Sequence, residues 1–195
     1  SSDALRRLLF CCGKDIFTVD LLCKSAGKTK RDFDLEGFLD KTEEEESSEF
    51  ASEQMLQSLL ERLEFTPEQQ AVLRYFALLP PSGISDEFYE GLFTDLQKQV
   101  ASLLCSMGWL VHVKQRWQQD YHIRNLIYDQ EWFPRGENCT EIIRQFLALA
   151  SRPECDLIDS LELKALSRKL LSLDHIEPGL YAALKERDRN LKTGS

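Results

Sequence analysis

Between Thr66 and Gly108 the chain carries three helix-start signals, each followed closely by a break, so this stretch has room only for three short helices in succession. Thr66, Pro67 and Gln69 supply an N-cap hydroxyl, a proline at the first helical position and an amide that reaches back to the cap's own N–H. Val72, Leu73, Phe76, Ala77 and Leu79 recur on one helical face. The PPSG run from Pro80 to Gly83 cannot continue it, so the helix is predicted to stop near Leu79. Ser85 caps a second helix carrying Phe88, Tyr89 and Leu92, with Ile84 placed to staple against Tyr89. Thr94 and Gln97 form another capping box. The third helix is predicted to bury Leu96, Val100, Leu103, Leu104 and Met107 and to end at Gly108, where a left-handed residue is wanted.

After Gly108 the period changes from helical to alternating, with Trp109, Val111 and Val113 on one side and Leu110, His112 and Lys114 on the other. That pattern predicts a strand, a polar loop over 115–120 and a return strand at Tyr121 and Ile123. Three helices followed by a β-hairpin is the element order of a winged helix, the hairpin being its wing. Leu126, Ile127, Trp132 and Phe133 predict a closing helix ended by Pro134.

The flanks read as helix. Leu5, Leu8, Leu9 and Cys12 form a stripe ended by Gly13; Asp15 caps a helix through Leu22 and Cys23; a short helix covers 34–41. Met55, Leu56, Leu59, Leu60 and Leu63 lead into Thr66. Beyond Asn138, Ile142, Ile143, Phe146, Leu147 and Ala150 form one stripe, and Leu157, Leu161, Leu166, Leu170 and Leu173 another, with Pro153 between them. Pro178 opens a last helix with Leu180, Tyr181 and Leu184, and residues 185–190 are expected to be exposed. The acidic run Glu43 to Glu46, with Ser47 and Ser48, reads as a solvated linker. The expected fold is therefore mainly α in three parts: a helical segment over 1–49, a winged-helix domain over 50–134 and a C-terminal helical segment over 135–195, where a helical-repeat or sensor region could begin.

A chain of 195 residues, 43% of them apolar, can form one or two cores. No apolar run approaches the about 18 residues of a membrane helix, and no secretory leader is recognised, so a soluble chain with no membrane partner is expected. Six cysteines, at 11, 12, 23, 105, 139 and 155, form no CxxC pair and fit a reducing, cytoplasmic setting. A net charge of −9 opposes a phosphate backbone unless a local basic patch overrides it.

Two passages resemble the STAND group of signalling ATPases, which includes the NB-ARC proteins. The run from Gly13 to Ala26 (GKDIFTVDLLCKSA) is similar to the helical-lid segment of many bacterial members, and Phe33 to Lys41 (FDLEGFLDK) stands where those have a leucine-rich helix. Phe65 to Pro80 (FTPEQQAVLRYFALLP), Met107 to Leu110 (MGWL) and Tyr121 to Ile127 (YHIRNLI) resemble the winged-helix region, in the same order and at the same separation. The likeness covers roughly the first two-thirds of the chain and implies a regulatory piece without catalysis of its own. Such a piece contacts the nucleotide-binding domain of the same protein, and ADP or ATP with Mg²⁺ would be bound by that parent. The family histidine that meets the β-phosphate of ADP falls at Arg124, and the proline after it at Asn125. Arg124 either binds the phosphate in its place, since a guanidinium grips phosphate bidentately, or is a solvated or ion-paired strand residue.

No catalytic residue is assigned. Gly27, Lys28 and Thr29 suggest a phosphate loop, but the glycine required upstream is Leu22, and no apolar strand ends in a Walker B aspartate. His112 and His122 could face each other across the hairpin, yet no third ligand completes a metal site. The adjacent Cys11 and Cys12 lack an oriented base, and Trp109, Trp117 and Trp132 read as core and wing aromatics rather than a stacking platform. A competing reading is a DNA-binding transcriptional regulator, contacting duplex through Lys98 on the third helix and Lys114 and Arg116 on the wing. The rest of that helix's outward face, Gln97, Ala101, Ser102 and Cys105, is uncharged, which argues against nucleic acid as a partner. A helical protein–protein adaptor, or a chain that self-associates, is a further alternative.

Overall fold

The computed structural model describes residues 6, 7, 10, 12, 15–26, 37, 51–152 and 160–193. Apart from Gly37, the expected helix over 34–41 lies outside them, as do Leu5, Leu8, Leu9 and Gly13 of the first stripe, the acidic run 43–48, the Gly27 to Thr29 run, Cys11, Cys155, Pro153 and Leu157. The described chain is mainly helical with a small three-stranded antiparallel sheet. In chain order it runs α1 (Ile16–Ala26), α2 (Ala51–Arg62), α3 (Pro67–Leu78), β1 (Ile84–Ser85), α4 (Asp86–Leu92), α5 (Asp95–Ser106), β2 (Val111–Val113), β3 (Arg116–Gln118), α6 (Tyr121–Tyr128), a 3₁₀ turn (Glu137–Cys139), α7 (Thr140–Ala150), α8 (Ser160–Leu171) and α9 (Pro178–Thr193).

The caps lie where the sequence puts them. Asp15 opens α1 by accepting from the Phe17 and Thr18 amides and the Thr18 hydroxyl. Both capping boxes form in full, Thr66 with Gln69 before α3 and Thr94 with Gln97 before α5, and the Ser85 hydroxyl accepts from the Phe88 amide. α3 ends at Leu79 and is buried continuously from Val72, so it is the central helix. The buried side chains form one cluster from Cys12 to Leu184.

The hairpin departs from expectation. The chain turns back at Lys114 and Gln115, whose φ angles of 53° and 60° make a tight two-residue connection, and Val113 pairs with Arg116. The return strand is therefore Arg116–Gln118, and Tyr121 and Ile123 belong to helix α6. The Asp120 carboxylate, accepting from the His122 amide at 2.8 Å, starts that helix, and Ile123, Leu126 and Ile127 form its buried stripe. α6 stops at Tyr128, so Trp132 and Phe133 lie beyond it and no helix ends at Pro134. β3 lies between β1 and β2. Gly83, at φ 76°, lets β1 approach β3, since a Cβ there would stand 2.5 Å from the Trp117 carbonyl oxygen. The expected strand face is not uniformly buried either: Trp109 precedes the strand in the core, whereas Val113 is 50% exposed.

Helix α5 presents a face turned partly away from the one expected. Leu104 and Met107 are buried as expected, but Ala101, expected on the outward face, is fully buried, while Leu96 is 61% and Leu103 43% exposed. α5 packs on α3, and the small Ala101 on its buried face allows the two helices to come close. In the C-terminal part, Leu161 is exposed, and Glu162 is buried beside Leu163, Leu166 and Leu170. Asp188, within the stretch expected to be exposed, is buried and accepts from the Ser167 hydroxyl. Among the described residues, no helix is long and apolar enough to cross a membrane.

Candidate functional site

Arg124 sits one turn into α6, with its amide bonded to the Asp120 carbonyl. Its side chain is half-buried and reaches the end of α3, donating from Nη1 to the Leu79 carbonyl at 2.9 Å and from Nη2 to the Pro80 carbonyl at 3.5 Å. Those carbonyls lie where a helix C-terminus carries partial negative charge, so the guanidinium caps α3 from outside it. Burial lowers its pKa, an effect opposed by Tyr128. Among the described residues no carboxylate pairs with it. The result is a partly desolvated cation held by carbonyl dipoles rather than by a counter-ion, an arrangement that can also accept an anion. It is a helix residue, not the strand residue of the alternative reading.

The three positions considered for DNA are not gathered into one basic surface. Lys98 Nζ lies 2.6 Å from Glu90 and 3.9 Å from Asp95, so two acids offset its charge. Arg116 donates to the Ser82 and Gly83 carbonyls and pairs with Glu162 at 2.6 Å. Lys114 alone stands exposed on the tight turn, without a carboxylate partner among the described residues. The outward face of α5 bears Leu96 and Leu103, which suit contact with an apolar surface better than with phosphates. The histidines do not meet across the hairpin. His112 stacks on Trp117 and contacts Asp86 at 2.8 Å, and His122 lies on α6 beside Phe17.

Two polar links tie distant segments to this region. Glu162, on α8, accepts from the Ser85 amide at 3.1 Å, the Ser85 hydroxyl at 3.0 Å and Arg116 Nη2 at 2.6 Å, with its side chain 5% exposed. It therefore joins the C-terminal helices to β1, β3 and the cap of α4. At the other side, Trp109 Nε1 donates to the Ser25 hydroxyl at 3.0 Å, and that hydroxyl donates to the Met107 carbonyl at 3.2 Å. Gly108, at φ 87°, faces Leu21 of α1, where a Cβ would stand 3.0 Å from Leu21 Cδ1. Neither Glu162 nor Ser25 stands out in the sequence. The one available signal for Glu162 is its register, next to Leu163 and four residues before Leu166, on the apolar stripe of α8. Comparison of the chain with protein families, with curated proteins and with solved structures finds no match.

Proposed function

We propose that this chain is a non-catalytic regulatory part of a STAND-type signalling ATPase, comprising a lid-like helical segment, a winged helix and the helices that follow. In this reading it contacts the nucleotide-binding domain of its own protein and shifts between arrangements as ADP is exchanged for ATP. The order α3, β1, α4, α5, β2, β3, with β3 between β1 and β2, supports a winged helix over the central part. The observation that carries the nucleotide reading is Arg124, a half-buried guanidinium without a carboxylate partner among the described residues, at the position that resembles the family's phosphate-contacting histidine. In the ADP state the phosphate shares this cation with the Leu79 and Pro80 carbonyls; in the ATP state the contact is released. Exposed Leu96 and Leu103 on α5 favour a protein surface over duplex DNA as the partner on that side.

The test is ADP dissociation from the full-length protein carrying Arg124→Ala or Arg124→Lys. Loss of a charge-assisted contact predicts ADP release at least about tenfold faster for the alanine variant, and an intermediate rate for lysine, which keeps the charge but not the fork. Unchanged ADP retention in both variants removes Arg124 from the phosphate site.

A further inference from the structure

A cleft of about 530 Å³ opens between the end of α6, the segment after it and the corner that joins α8 to α9. Its walls are fastened to each other. The Gly136 amide donates to the Asp174 carbonyl at 2.7 Å, and a Cβ on Gly136 would stand 2.5 Å from the Ile176 nitrogen, so the two backbones are in direct contact. Asn138 braces the nearer wall by donating to the Phe133 carbonyl at 2.8 Å and accepting from the Arg135 amide at 2.9 Å. A cleft with such walls is formed before any ligand arrives, and its size is that of a small-molecule site.

The lining reverses the acidic balance of the chain. Arg135 holds its guanidinium 4.2 Å from the centre of the Phe133 ring, and Lys169 holds its ammonium 5.1 Å from that of Tyr128. Ring faces orient such cations without neutralising them. Glu137, the acid beside Arg135, is 3.8 Å away and exposed, and among the described residues Lys169 has no carboxylate partner. Leu173 supplies an apolar wall, Asp174 and His175 complete the lining, and the Ser172 hydroxyl is turned to the Lys169 carbonyl, to which it donates at 2.7 Å. Arg124 does not line the cleft, which owes nothing to the nucleotide reading.

We infer that this cleft binds a small phosphomonoester, its dianion held between Arg135 and Lys169 and its organic body lying against Leu173. Two cations match a dianion, and the guanidinium fork fits phosphate oxygens in pairs. A carboxylate, with a single charge, is the weaker ligand.

The test is an amide NMR titration of this chain with phenyl phosphate and, separately, with benzoate at fixed ionic strength. The expected result is saturable shifts confined to residues 128–135 and 169–175, with phenyl phosphate at least tenfold tighter than benzoate. Arg135→Ala and Lys169→Ala should each weaken phenyl phosphate tenfold or more without lowering the thermal midpoint, since neither side chain belongs to the core. Arg135→Lys, which keeps charge without the fork, should weaken it less and serves as the deciding variant if an alanine substitution unfolds the chain. Shifts that fail to saturate or spread over the surface overturn the inference. So do equal affinities for the two probes, or binding undiminished by Arg135→Ala combined with Lys169→Ala.

Discussion

Glu162 is a carboxylate withdrawn from water and held by three donors, two of them on Ser85 and the third on Arg116. Removing it leaves the Ser85 amide unmatched and takes the carboxylate from Arg116, which keeps its bonds to the Ser82 and Gly83 carbonyls. Because Arg116 keeps 38% of its side chain in solvent, the cost falls below that of a fully buried pair. Glu162→Ala is predicted to lower stability by about 2 kcal/mol, and Glu162→Gln by less. Denaturant midpoints of these variants, alone and combined with Arg116→Ala, measure the coupling, and additive effects would show that the pair does not interact. In the sequence Arg116 is only a positive charge near a turn; its partner lies 46 positions away, which is why it reads there as a contact for DNA. At the same scale, burial pushes the Cys139 thiol from 9.0 up to about 11, with Arg74 and the Arg135 amide opposing, and the Tyr75 phenol from 10.0 up to about 12. In both groups folding favours the neutral form, so the associated stability is complete below pH 9 and is lost as pH rises through 9 to 12. A urea midpoint that falls over this range, and falls less at its lower end in Cys139→Ala, is the expected outcome; a flat profile would contradict it.

Local chemistry is most legible where a helix begins. Thr66, Ser85, Thr94 and Asp15 each bond their own backbone within a few residues, and at Ser85 the hydroxyl still accepts from the Phe88 amide while it donates to distant Glu162. Legibility fails where two local patterns are equally good. On α5, Leu104 and Met107 are buried on either reading, and the stripe can extend from them through Leu96, Val100 and Leu103 or through Gln97 and Ala101. The choice rests on how closely α3 can approach, and Ala101 sets that. The hairpin fails for a different reason. Lys114 and Gln115 occupy positive φ without the glycine or asparagine that marks such a turn, so the return strand reads as loop and the following helix as strand. Substituting Asn at 114 and Gly at 115 should therefore relieve left-handed strain and stabilise the protein by about 1 kcal/mol. A thermal midpoint at or below that of the parent would show that the turn is not strained as its angles imply.

At the scale of the whole molecule, the mainly helical class was readable from apolar spacing, but the joints between segments were not. Ser25 and Trp109 are 84 positions apart, and Ser85 and Glu162 are 77 apart; such pairs leave no local pattern. These joints give the proposal its mechanical content. α1 is fixed to the end of α5 through Ser25, Trp109 and Gly108, and α8 is fixed to the sheet through Glu162. An event at Arg124 therefore meets a hairpin region that is already tied to the segments on either side. Hydrogen exchange of the full-length protein, loaded with ADP and then with a non-hydrolysable ATP analogue, tests this most directly. Amide protection is expected to be lower in the ATP-analogue state over residues 120–127 and over β2 and β3. Identical exchange in those segments in the two nucleotide states would contradict it.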